Sequence, residues 1–379
     1  MIKMGVGIQD LVIEKEEPPS GQESGSKSWI RQLNNSISDI EGLEKFQAFN
    51  AEEKEGLKKI ATQYPFSITP YYLSLIDWTD PKDPIRMQCI PSVEEGRLYF
   101  EAQEDPLGEE SDSPIPGLVH RYPDRVLVTL TDMCPVYCRH CTRKREWQKG
   151  KWVRPADELA GIYAYISEHR EVRDVILSGG DPLILGTNKL EKVLKSLRAI
   201  PHVEIIRIGT RCPVVLPHRI DEELVSMLKR YRPIWVNTHF NHPKEITRES
   251  KEACDRILCS GIPVNNQTVL LRGINDNVET MTALCQGLLK IGVRPYYLFQ
   301  CDPIKGAGHF RTSVGKGLEI IKGMRGFTSG MCVPTFIVDG LDGQGKVPLQ
   351  PDGLVSEEKG YMVLKGYKGD TFKYYNPEV

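Results

Sequence analysis

Three thiols stand within eight residues in Cys134-Pro-Val-Tyr-Cys138-Arg-His-Cys141, in a loop that directly follows an apolar strand-like run. Sulfur ligands this close can converge on one soft centre, and they select zinc, copper(I) or an iron-sulfur cluster over hard cations. A structural zinc site needs four ligands, so His140 or a distant cysteine would have to close it. A cubane of four irons is normally capped by four thiolates, and three caps leave one iron open to an outside ligand. A zinc knuckle, a four-thiolate redox centre and an open-cornered cluster all remain readings of these residues.

Two other stretches carry chemistry. Ser178-Gly-Gly-Asp181 has glycines where side chains would obstruct close backbone approach. Gly343-Gln-Gly-Lys346 presents one lysine on a flexible loop. A lysine amine forms a Schiff base with an aldehyde once its surroundings keep it partly neutral, although a solvated surface lysine is the simpler reading of the bare residues.

The elements that must position these groups follow a period. Apolar β-branched runs begin near Val126, Asp174, Val203, Ile234, Pro263 and Arg294, the last five separated by 29, 31, 29 and 31 residues. Between them lie helical spacings such as Leu159, Ile162, Tyr163, Ile166 and Leu190, Val193, Leu194, Leu197. Strands alternating with helices in this way predict an α/β fold with a parallel sheet and right-handed crossovers. Six units are too few for a closed eightfold barrel, so a partial (βα)6 barrel is expected, with its chemistry at the carboxyl ends of the strands. The cysteine loop, Ser178-Gly-Gly-Asp181, Gly209-Thr-Arg211, Asn237-Thr-His239, Gln267 and Gln300-Cys-Asp302 all fall at such ends.

Around this core, residues 1-28 are rich in Pro, Gly, Ser and Glu and read as a mobile stretch that buries little. The region 1-118 as a whole reads as helical and irregular, with a capping box at Asn50 and Glu53, wrapping a core at 119-331. Residues 332-379 read as a small β segment packed as a lid or hairpin against the barrel mouth.

Composition narrows the class. With 379 residues, 40% hydrophobic and 26% charged, the chain is an ordinary globular protein. Its 49 basic and 51 acidic residues give no electrostatic case for nucleic acid or a membrane surface. No apolar run reaches membrane-spanning length and no signal peptide pattern opens the chain, so a cytoplasmic protein is expected. Seven of the ten cysteines are scattered through core-like segments, which fits a reducing compartment.

The C-x3-C-x2-C spacing, its strand-then-loop setting and the aromatic before the second cysteine resemble the radical S-adenosylmethionine (SAM) enzymes. More specifically, Ile68-Thr-Pro-Tyr-Tyr-Leu-Ser-Leu-Ile-Asp77, Gly117-Leu-Val-His-Arg-Tyr-Pro-Asp-Arg125, Leu177-Ser-Gly-Gly-Asp181, Asn237-Thr-His-Phe-Asn-His-Pro243 and Arg294-Pro-Tyr-Tyr297 resemble the lysine 2,3-aminomutase family. That resemblance implies a 4Fe-4S cluster on Cys134, Cys138 and Cys141, and pyridoxal 5'-phosphate (PLP) carried by Lys346. It implies PLP phosphate contacts at Arg121 and Arg125, and SAM contacts at Ser178, Gly179, Gly180, Asp181, His239 and Gln267. Arg143 would pair with the substrate carboxylate, and Asp302 and Asp339 would receive an ε-ammonium. Two buried carboxylates without a cation raise one another's pKa, so the pair points to a cationic ligand.

The implied activity is an isomerase that exchanges the α-amino group of L-lysine with a β-hydrogen, giving L-β-lysine. The competing readings are an aminomutase for arginine or glutamate, one supplying β-lysine to modify a translation factor, and a non-enzymatic electron carrier or zinc module. A reductant such as ferredoxin or flavodoxin and a homo-oligomer are the expected partners. Two departures stand out. Family members with a C-terminal zinc cluster have cysteines there and one matching Asn277, whereas this chain has none after Cys332, so structural zinc is not expected. Phe299 stands where they have a tyrosine near the cofactor.

Overall fold

The computed structural model describes residues 28–377. The stretch read as mobile, 1-28, falls outside the described residues except for Ser28. Seven strands lie side by side in parallel: β2 (Arg125–Thr129), β3 (Asp174–Ser178), β4 (Ile205–Gly209), β5 (Ile234–Thr238), β6 (Val264–Leu270), β7 (Arg294–Gln300) and β8 (Thr335–Gly340). At the two edges, β1 (Leu118–Tyr122) pairs antiparallel with β2, and β9 (Gly345–Leu349) pairs antiparallel with β8.

The period-two pattern of these strands decides which side chains meet the helices and which meet the interior. Val126, Val128, Val175, Leu177, Ile206 and Ile208 are at most 1% exposed and share one core with Ile162, Ile166, Leu190, Leu194 and Leu224 of the intervening helices. Burying each such aliphatic side chain is worth roughly 1.5–3 kcal/mol. Their neighbours Arg125, Leu127, Asp174, Ile176, Ser178 and Arg207 turn the other way and line a cavity of about 630 Å³. Polar residues are tolerated there because that face meets open space.

The six expected parallel strands are present, and β8 adds a seventh. The segment after Cys332 divides: β8 and β9 complete the main sheet, while β10 (Leu354–Glu358), β11 (Tyr361–Lys365) and β12 (Thr371–Tyr375) form a separate antiparallel sheet. The main sheet is nearly closed. Across the remaining seam the Lys346 backbone N–H of β9 donates to the Tyr122 hydroxyl of β1 at 3.0 Å.

The N-terminal region belts this barrel through named bonds. The Thr69 hydroxyl donates to the Val215 carbonyl at 2.7 Å, and the Tyr72 hydroxyl to Glu245 at 2.7 Å. The helix Ala51–Gln63 starts with the expected capping box, Asn50 and Glu53 exchanging two bonds of 2.9 Å. No helix among the described residues is long and apolar enough to cross a membrane.

Candidate active site

The cysteine loop leaves the exit of β2 and is held from below by buried charge. Arg139 donates to Glu95 and to the carbonyls of Tyr64 and Pro65, at 2.6 to 3.1 Å, with both ionic side chains fully buried. Lys144 reaches the same carboxylate at 2.7 Å. Burial alone would push the Lys144 amine further down, and Glu95 opposes it, leaving the group at about 8.

Cys134, Cys138 and Cys141 are free thiols, partly exposed, with Cys134 and Cys141 packed against Ile60, Tyr64, Tyr137 and Trp147. Burial first and the Cys138 sulfur second raise the Cys141 thiol to about 11, against the opposing pull of Arg143 and Lys144. Cys134 is raised by burial and then by Asp181, Cys141 and Cys138. Cys134 and Cys141, whose ionisation burial and neighbouring sulfur oppose, need a cationic core beside them to stay thiolate, which is the chemistry an iron-sulfur cluster supplies. Among the described residues no three His, Cys, Asp or Glu side chains gather around a single-ion position. A cubane asks for something different, since each thiolate caps a separate iron. Arg211 adds fixed positive charge: its Nη1 donates to Cys138 Sγ at 2.7 Å, and its Nη2 to Glu245 and Gln88 at 2.6 Å each.

The glycine turn sits against this loop. Gly179 has φ +120°, and a Cβ there would lie 2.3 Å from the Thr131 carbonyl oxygen; at Gly180 it would lie 2.2 Å from that of Met133. The turn is thereby fitted to the backbone leading into the cysteines, with the Asp181 N–H donating to the Met133 carbonyl at 2.8 Å. Asp181 itself is turned inward, its carboxylate accepting from Thr210 Oγ1 at 2.6 Å and from the Arg211 N–H at 2.7 Å.

The large cavity gathers Arg121, Arg125, Arg143, Ser178, His239, Gln267, Asp302, Asp339 and Lys346. A second cavity of about 580 Å³ takes Cys134, Cys141, Gly179 and Gly180 in its lining. Cys138 and Asp181 line neither. Lys346 Nζ pairs with Asp339 Oδ1 at 2.7 Å and lies 4.8 Å from the centre of the Phe299 ring. Burial raises the Asp302 carboxyl to about 7, the Asp339 charge adding to the rise while Lys346 and Arg311 oppose it.

Arg121 is engaged, donating to Asp112 at 2.6 Å and to the Leu107 carbonyl. Arg125 lies 3.9 Å over the Tyr122 ring and donates to Asp124 at 2.8 Å. Burial and Arg211 hold the His239 ring at about 3, so it is neutral, and its Nε2 is buried without a hydrogen-bond partner. Tyr122, Tyr296, Tyr297 and Phe299 give the cavity aromatic walls, and Arg207 adds a cation, paired with Asp174 at 2.8 Å.

Sequence reasoning passed over Glu109, Tyr122, Arg207 and Arg211. Tyr122 and Arg211 lay inside quoted motifs, and the alternation of β4 could have marked Arg207 as facing inward. Glu109 gave no signal, because it sits in an irregular stretch.

The Radical SAM superfamily profile matches residues 128–285, and the Lysine-2,3-aminomutase profile matches residues 321–379. The chain is 51% identical to the L-lysine 2,3-aminomutase of Acetoanaerobium sticklandii over 350 residues, covering 92% of this chain and 84% of that protein. It is also 51% identical to the L-lysine 2,3-aminomutase of Clostridium subterminale over 349 residues, with the same coverage. A glutamate 2,3-aminomutase from Clostridioides difficile is 45% identical over 355 residues, covering 93% of this chain and 84% of that one. The cysteine loop and the lysine-bearing strand lie respectively inside the two profile matches, and the chain belongs to the lysine 2,3-aminomutase family, isomerases of the radical SAM superfamily.

Proposed function

We propose that this protein converts L-lysine to L-β-lysine by moving the amino group from C2 to C3. The carrying observation is that Asp302 and Asp339 share one cavity with Arg143. A guanidinium suits a carboxylate and a pair of acids suits a distant ammonium, so the ligand that satisfies both is an amino acid with a cationic side chain. A glutamate side chain would bring a third carboxylate to the acids, of which Asp302 is already raised by burial and then by Asp339.

Radical SAM enzymes carry a 4Fe-4S cluster and use SAM. Here Cys134, Cys138 and Cys141 would cap the cluster, and Ser178, Gly179, Gly180, His239 and Gln267 would face SAM, with Asp181, turned inward onto Thr210 and Arg211, bracing the glycine turn from behind. Lys346 would carry PLP among the aromatic walls, with Arg125, Arg207 and Arg121 as cations for its phosphate. When bound, the cluster with SAM supplies an electron and a carbon-centred radical, and PLP supplies a double bond at nitrogen through which an amino group can migrate.

The chain's own residues do the rest. Arg143 and the two aspartates fix the amino acid at both ends, which holds C2 and C3 in register with the cofactors. The aromatic walls limit water around them. The supporting division of labour is 1-118 as the belt, 119-331 as the barrel core and 332-379 as the segment bearing Lys346. A reductant of the ferredoxin or flavodoxin type would supply the electron, and a homo-oligomer in the cytoplasm is the expected form.

The test is an anaerobic assay with iron, sulfide, dithionite, PLP, SAM and L-lysine, with products separated by chromatography. L-β-lysine from the native chain and none from Lys346→Ala supports the proposal. Formation of β-glutamate from glutamate with lysine untouched, or zinc without labile sulfide in the purified protein, refutes it.

A further inference from the structure

The two cavities meet at one ion pair. Their linings have three residues in common, Glu109, Val119 and Arg143. Arg143 Nε donates to Glu109 Oε2 at 2.9 Å and Nη2 to Oε1 at 2.6 Å, a two-pronged pair with each side chain about one-seventh exposed. Nη1 is spent on Ser178 Oγ and the Gly179 carbonyl, both at 3.1 Å. Of the five guanidinium N–H groups, one on Nη2 is left. A ligand carboxylate that takes a two-pronged grip needs two adjacent N–H groups, and the Nε/Nη2 edge that offers them is covered by Glu109.

Glu109 also has somewhere to go. Arg145 Nη2 lies 3.1 Å from Glu109 Oε2, so a carboxylate leaving Arg143 keeps a cation beside it. Burial would raise the Glu109 carboxyl, but Arg143 and then Arg145 outweigh it and hold the group at about 2. In this pairing it is charged. The turn that carries it is short and internally bonded, the Glu110 N–H donating to Asp105 Oδ2 at 2.9 Å and the Gly108 N–H to the Asp105 carbonyl at 3.1 Å. The same turn touches the lysine loop, where the Asp342 N–H donates to the Pro106 carbonyl at 3.0 Å.

We propose that Glu109 is a placeholder carboxylate: it occupies Arg143 in the ligand-free chain, is exchanged for the carboxylate of the incoming amino acid, and by leaving opens the wall between the two cavities. This rests on the reading of Arg143 as the carboxylate anchor of an amino-acid substrate. Glu109 acts through Arg143 and is a positioning residue. Its second consequence is selectivity, since a diamine without a carboxylate cannot displace it.

The test uses enzyme loaded with cluster and PLP but given neither SAM nor reductant, so that nothing turns over. Dissociation constants for L-lysine and for 1,5-diaminopentane are read from the cofactor absorbance. Glu109→Gln removes the competing charge and is expected to tighten L-lysine about tenfold, the scale of one charged hydrogen bond, and to leave the diamine unchanged. Glu109→Asp keeps the charge and is expected to stay close to the native value. Equal weakening of both ligands, no change in either, or weaker lysine alone overturns the exchange.

A measurement on the native chain guards against a variant that fails to fold. Amide hydrogen exchange across residues 105–112 is expected to quicken with L-lysine and not with the diamine, and exchange unaltered by lysine overturns the proposal. Failure of L-lysine to bind the native holoenzyme at all would remove the functional reading beneath it, a result distinct from binding that is indifferent to Glu109.

Discussion

Replacing Asp339 by Asn keeps the shape of the side chain and removes its charge, which gives the sharpest test of the acid pair. In the ligand-free chain Asp339 has two effects: it pairs with Lys346 at 2.7 Å, and it helps hold the Asp302 carboxyl at about 7. A hydrogen bond between charged groups is worth about 1.5–3 kcal/mol, so Asp339→Asn should lower kcat/KM for L-lysine about 10- to 150-fold. The pH profile supplies a second, independent reading. The profile of kcat/KM reports groups of the free enzyme. In the native chain Asp302 becomes charged as pH rises through about 7, so kcat/KM for a cationic substrate should rise across that window. Without the neighbouring charge Asp302 should ionise at lower pH, and the inflection should move down with it. Steady-state kinetics at saturating PLP and SAM between pH 5.5 and 9 would show both effects. An inflection that does not move, or a loss smaller than about twofold, would refute the argument that the two acids act as one cation-binding unit.

Other consequences are smaller in scope. Because the folded-state pKa of Asp302 lies above its ordinary value, its contribution to stability is lost as pH rises from about 4 to about 7, and Asp302→Asn should raise the thermal midpoint of the cofactor-free chain more at pH 8 than at pH 5. Glu95→Gln strands Arg139 and Lys144 in the interior and should cost about 3–5 kcal/mol in chemical denaturation, the scale of a broken buried pair. Gly179→Ala puts a methyl group against the Thr131 carbonyl at a positive φ, and iron and sulfide content after reconstitution should fall well below that of the native chain. Arg211→Lys keeps the charge but loses the fork that joins Cys138 to Glu245 and Gln88, and should shift the cluster's midpoint potential in a redox titration followed by electron paramagnetic resonance.

Much of the barrel was legible because its strands alternate and its helices are amphipathic at regular spacing. The seventh parallel strand was not, and the reason is local. The helix before it, Val314–Met324, contains Gly315, Gly317 and Gly323, which dilute its periodicity. Gly317 is needed all the same, since a Cβ there would lie 2.1 Å from the Phe336 ring of β8. Close packing erased the pattern that would have announced the unit. The site divides in the same way. The cysteine spacing carries its chemistry openly, whereas Lys346 reads from its own neighbours as a surface lysine, and only family resemblance made it otherwise. Glu109 could not be found from sequence, because long-range ion pairs to Arg143 and Arg145 fix its place and no local period reports them.

The seam between β9 and β1 has a consequence for how the barrel wall beside Lys346 is fastened. Elsewhere the staves are stitched by runs of backbone bonds, and prising two apart would break several together. At the seam the bond from the Lys346 N–H to the Tyr122 phenol, worth roughly 1 kcal/mol, is backed by the 105–112 turn, whose Asp112 accepts from Arg121 and the His120 N–H of β1 and whose Pro106 carbonyl accepts from the Asp342 N–H beside β9. Among the described residues no backbone ladder joins β9 to β1, so the turn that carries Glu109 is also the clasp of the joint beside Lys346.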